Sequence, residues 1–171
     1  MRKIFLSLIG SLFVLFAFSQ DKMFKHDGEK IDVKIVKVAE FTIVYKYPGE
    51  DAEQTIGKLA VAKIVYGSGR TEQVSDKVVV NSKDDWESVQ IIEDKSQVIG
   101  LKKKEEIRGK TSGFLNYNSA GTADKKATRK LKEAAAELGA PFILMTADND
   151  ARAGNGGTNQ GIKKGFAYSY K

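Results

Sequence analysis

Hydrophobic residues fall into three regimes along the chain. The first, Ile4 to Phe18, is apolar nearly throughout and is broken only by Ser7, Gly10 and Ser11. The second, Met23 to Val74, alternates with a period of two, as half-buried strands do. Ile31, Val33, Ile35 and Val38 mark one strand over Lys30 to Val38; Phe41, Ile43, Tyr45 and Tyr47 mark another over Phe41 to Tyr47. Only Ala39 and Glu40 separate them, which predicts a tight hairpin, although this pair lacks the Asn-Gly chemistry such turns prefer. Pro48 and Gly49 open a polar loop, and Thr55 to Gly57, Lys63 to Tyr66 and Thr71 to Val74 read as further short strands around glycine-rich turns. The sum is a small, strongly bent antiparallel sheet, barrel-like or open.

The third regime begins beyond the polar stretch Asn81 to Asp85, which separates a module at 20–80 from one at 86–171. Trp86 to Ile92 ends apolar, and Val98 to Leu101 with Ile107 to Leu115 flank the charged Lys102 to Glu106, predicting a hairpin with a charged tip. From Thr122 to Leu138, Ala123, Ala127, Leu131, Ala134, Ala135 and Leu138 recur at spacings of three and four, the mark of an amphipathic helix. Ser119 or Thr122 can cap its start, Gly139 suits a left-handed end, and Pro141 prevents continuation. Phe142 to Ala147 is then a compact apolar strand, and Gly165 to Tyr170 places Phe166, Tyr168 and Tyr170 on one face of a last one. Because the helix face is rich in alanine, bulk must come from its partners, with Trp86, Phe114, Phe142, Phe166 and Tyr168 as candidates. The expected fold class is α+β: a small antiparallel β module, then a β-β-β-α-β-β domain with one helix packed on a sheet.

The first module, with "HDGEKIDVKIVKV", "FTIVYKY" and "VAKIVYGSGRTE", resembles an all-β module found at the front of exported Bacteroidetes proteins. The second half, with "VIGLKKKEEIRGKTSG", "ATRKLKEAAAELGAPFILMT" and "KKGFAYSY", is similar in layout to the YbjQ-like and Rcs-sensor-lipoprotein type of envelope domain. Ala134, Ala135, Gly139 and Ala140, then Gly165, Phe166 and Ala167, carry that second likeness. It implies a fold of the cell envelope. A sensor role and metal ligands do not transfer, because this chain has no cysteine for disulfides or an acyl anchor.

Composition sharpens the reading of the first regime. Arg2 and Lys3 precede the apolar run and the small Ser19 follows it, which is the layout of a secretory signal peptide at 1–19, cleaved between Ser19 and Gln20. The competing reading, a membrane anchor, is disfavoured because the run is shorter than the roughly 20 apolar residues of a spanning helix and meets charge at once. Zero cysteines remove thiolate metal sites and Cys nucleophiles and leave core packing alone to hold an exported fold. Periplasm or cell exterior is the expected location. Loss of Arg2 and Lys3 lowers the net charge from +6 to +4, a mild excess that does not point to nucleic acid.

No motif completes a catalytic constellation. His26, the single histidine, stands beside Asp27 as an acid–base group without an evident nucleophile and reads as an exposed residue before the Gly28 turn. Asp84, Asp85, Glu93 and Asp94 are carboxylates whose pairing the sequence does not fix, and G-x-S-x-G is absent. Asp148, Asn149 and Asp150 before a glycine-rich loop invite a cation, but the EF-hand spacing fails at Arg152 and Ala153. The loop itself, Gly154 to Gly161, precedes a strand and lacks the Lys-Ser/Thr of a phosphate loop. Basic residues crowd Lys102, Lys103, Lys104 and Arg108, and again Lys125 and Arg129 on the helix, interleaved with glutamates as on a solvated face.

The expected function is therefore a non-enzymatic secreted or periplasmic binding or scaffolding protein, without a cofactor, whose partner is an envelope protein or anionic surface component. Two alternatives stay open. One is a small-ligand or cation binder using the loop at 148–161 with Asp148 and Asp150. The other is a binder of lipid or lipopolysaccharide surfaces through Lys102, Lys103, Lys104, Arg108, Lys125 and Arg129.

Overall fold

The computed structural model of the protein describes residues 20–111, 120–151 and 160–171. The expected signal peptide at 1–19, the stretch 112–119 with Phe114 and Ser119, and residues 152–159 of the expected glycine-rich loop lie outside the described residues.

Six strands build the first module: Asp21–Lys25 (β1), Lys30–Val38 (β2), Thr42–Lys46 (β3), Glu53–Gly57 (β4), Val61–Val65 (β5) and Thr71–Gln73 (β6). They form one antiparallel sheet in the order β4-β3-β2-β1-β5-β6. The sequence reading treats Asp21 to Lys25 as a charged segment, yet β1 is an inner strand, with Met23 opposite both Ile31 of β2 and Ile64 of β5. Its polar neighbours are tolerated because only Met23 of its five residues is buried. Asp21 anchors the start: its carboxylate accepts from the Ile35 amide at 2.9 Å and the Gly67 amide at 2.8 Å. Met23, Val33, Ile43, Ile56, Val61 and Ile64 close the core beneath.

The second module holds Gln90–Ile92 (β7), Lys102–Lys110 (β8), Phe142–Ala151 (β9) and Gln160–Ser169 (β10), in the order β7-β9-β10-β8, with the helix Ala120–Glu137 (α1) between β8 and β9. β7 runs parallel to β9; β10 is antiparallel to both of its neighbours. The expected charged hairpin tip at Lys102 to Glu106 is instead the first half of a continuous strand, and Val98 to Leu101 belongs to a 3-10 turn and bend. An edge strand gains its pairing from the backbone of β10, so its side chains are free to be charged and solvated. The described module is thus β-β-α-β-β, one strand fewer than expected before the helix.

α1 buries Ala123, Ala127, Leu131 and Ala135, one stripe at intervals of four, and closes on Gly139 with φ of +62°. Its partner on β8 is Gly109, where an added Cβ would overlap the carbonyl oxygen of Ala127. The helix backbone therefore sits directly on the strand. On β10 the buried parity is Lys163, Gly165, Ala167 and Ser169, not the aromatic one. The helix takes the small side chains, and Tyr168 lies with Tyr170 against a second core of Phe142, Leu144, Ile92 and Val98.

That second core joins the modules. Leu59 of the first module, Val78 of the connection and Leu101 pack against it. The four-stranded sheet thus has α1 on one face and, on the other, the second core that Leu59, Val78, Val98 and Leu101 complete.

Candidate functional site

The exposed side of α1 forms a groove of about 570 Å³ with the 3-10 turn Lys83–Ser88. Trp86 lines it from the turn; Asp124, Lys125, Lys126, Thr128, Arg129 and Lys132 line it from the helix. Lys125, Arg129 and Lys132 follow one another at spacings of four and three, a single stripe on the side turned away from the buried Ala123, Ala127 and Leu131. The turn is held firmly. The Asp85 carboxylate accepts from the Asn81 and Ser82 amides at 2.8 and 3.1 Å, and Lys83 pairs with Glu137 at 2.7 Å. Trp86 is half-buried and packs in part against the core that contains Leu131 and Ile143.

Arg129 is fixed from two sides. Its guanidinium carbon lies 5.1 Å from the Trp86 ring centre, and its Nε donates to Glu133 at 2.7 Å. The charge of Asp124 is answered from the sheet, by Lys163 at 2.8 Å. Lys125 and Lys132 enter no ion pair among the described residues, so the groove carries surplus positive charge beside an aromatic wall.

The six basic residues singled out from the sequence divide between two places. Lys102, Lys103, Lys104 and Arg108 lie along β8, where Lys103 stands 3.3 Å over the Phe166 ring and Arg108 pairs with Glu106 at 3.3 Å. Lys125 and Arg129 line the Trp86 groove. The helix side that meets β8 is that of Lys130, which donates to the Lys110 carbonyl at 3.0 Å, one residue and so about 100° away from Arg129. The two basic sets therefore do not merge across the helix. Sequence reasoning listed Trp86 only as a core partner; the signal for the groove was a tryptophan facing cations at helical spacing.

Asp148, Asn149 and Asp150 are not in a loop. Their backbone continues β9, opposite Lys163, Ile162 and Gly161 of β10, while the side chains of Asp148 and Asp150 lie outside the described residues. Among the described residues no group of three or more His, Asp or Glu is placed to hold a metal. Asp85 and Asp94 serve as turn caps: Asp94 accepts from the Ser96 amide at 2.7 Å, and the Ser96 side chain together with that amide draws its carboxyl below the usual range.

His26 is not exposed, as the sequence reading has it, but buried where the modules meet. Its Nε2 lies 2.9 Å from Ser75 Oγ, and its ring is 5.0 Å from that of Tyr170. Ser75 Oγ in turn donates to the Val61 and Lys58 carbonyls at 2.8 and 3.1 Å. The one hydroxyl proton thus has two carbonyl acceptors besides the imidazole, so Nε2 is not its sole acceptor as a nucleophilic serine needs. Burial lowers the His26 pKa, and the charge of Lys77 lowers it further, against weaker opposing effects of Ser75, Asp76 and Asp27. Comparison of the chain with protein-family models, with curated proteins and with solved structures gives no match.

Proposed function

We propose that the protein is a non-catalytic binding module of the periplasm or cell exterior that engages an anionic partner through the Trp86 groove. One observation carries this: a formed concavity whose aromatic wall and whose Lys125 and Lys132, without an ion pair among the described residues, sit on two elements stapled together. The leader-like opening at 1–19 and the likeness in layout to envelope domains support the location. A rigid turn and a helix that share a core hold the groove open without a partner, so binding costs little ordering.

The reading is tested by sedimentation with vesicles. The chain should pellet with phosphatidylglycerol vesicles and not with phosphatidylcholine ones, and salt should release it. The double variant Lys125→Ala, Arg129→Ala should lose about tenfold in affinity. Equal retention of that variant would remove the groove from the reading.

A further inference from the structure

Resting on that reading, we propose that the Trp86 groove takes a phosphoryl group presented as a monoester, with Arg129 as the fork that grips it. The guanidinium is oriented before any ligand arrives, by the indole and by the bond from Nε to Glu133. With Nε engaged, the two terminal nitrogens remain as a pair of parallel donors, the geometry that matches two oxygens of one oxyanion. Lys125 stands one turn before Arg129 on the helix and Lys132 just under one turn after it, so a ligand on the fork is flanked by two further cations.

Charge decides between oxyanions. Glu133 answers Arg129, Lys163 answers Asp124 and Lys126 has a partner of its own, so among the described residues Lys125 and Lys132 are the lining cations that no ion pair answers. A carboxylate brings one negative charge, whereas a phosphate monoester carries about 1.5 to 2 at neutral pH and matches the surplus. The ester's carbon portion has the Trp86 wall to lie on, and about 570 Å³ is room for a small polar organic group, not for a bare ion alone. A soluble phosphate ester and a phosphorylated lipid headgroup share this chemistry.

Trp86 is the chain's single tryptophan, so its emission reports on the groove directly. The full chain is titrated with glycerol phosphate, glucuronate and glycerol, and separately with vesicles containing phosphatidic acid, a lipid monoester, or phosphatidylglycerol, a diester. A saturable change with glycerol phosphate, about tenfold weaker with glucuronate and none with glycerol, is the expected result. Arg129→Lys, which keeps the charge and removes the fork, should weaken the glycerol phosphate response about tenfold. A response to phosphatidic acid vesicles alone, lost in Arg129→Lys, assigns the same chemistry to a lipid source. Equal responses to glucuronate and glycerol phosphate overturn the phosphoryl assignment and leave the anionic reading standing. Silence with glycerol phosphate and with phosphatidic acid while phosphatidylglycerol vesicles still bind overturns it as well; silence throughout overturns both.

Discussion

Gly109 shows how one missing side chain sets the distance between helix and sheet. A methyl group there meets helix backbone, which has no rotamer to give way. Gly109→Ala should therefore destabilise the protein by about 1–3 kcal/mol, read as a lowered urea midpoint at unchanged slope. His26 makes a second residue-scale expectation. Its folded pKa lies below the ordinary 6.5, so the unfolded chain takes up the proton first as pH falls. The contribution is fully present above 6.5 and is lost as pH drops through the folded value. Urea midpoints measured from neutral pH downward should fall across that window, and His26→Gln should flatten this part of the profile; an unaltered slope in the variant would contradict the assignment.

At the scale of elements, what the sequence made legible follows from how much of each element's pattern is local. β2 keeps its expected limits, Lys30 to Val38, because strict alternation needs no knowledge of its partners. α1 begins two residues earlier than expected and ends at Glu137, since the alanine spacing within it and the Gly139 stop just after it are both local in sequence. β1 was hidden because a single buried Met23 between charged residues has no period to detect; two neighbouring strands make it a strand. β8 was misread for the opposite reason, as charge at an edge looks like a turn. The groove was invisible since Trp86 and Arg129 meet only through tertiary packing across 43 positions. Edge charge on β8 has its own consequence. Lys102→Thr with Lys104→Thr should leave stability nearly unchanged but promote strand-to-strand association, seen as earlier elution and concentration-dependent scattering.

For the whole molecule the decisive contact is Tyr170. Its ring stands edge-on to Phe142 at 5.6 Å and beside His26, and its hydroxyl accepts from the Val78 amide at 3.0 Å. One side chain thus touches the first module, the connection and the four-stranded sheet. Tyr170→Phe keeps the ring packing and leaves the Val78 amide without that acceptor, which should cost about 1–3 kcal/mol. If the modules unfold as one unit, Trp86 emission and far-ultraviolet circular dichroism will shift together in this variant; separated curves would mean the halves melt independently.

Asp21 ties the start of β1 to both of its flanks. Both of its oxygens are clamped by amides of β2 and of the turn after β5, two residues beyond Ser19. The strand that carries Met23 therefore reaches its place only once β2 and the turn after β5 are both there to supply those amides.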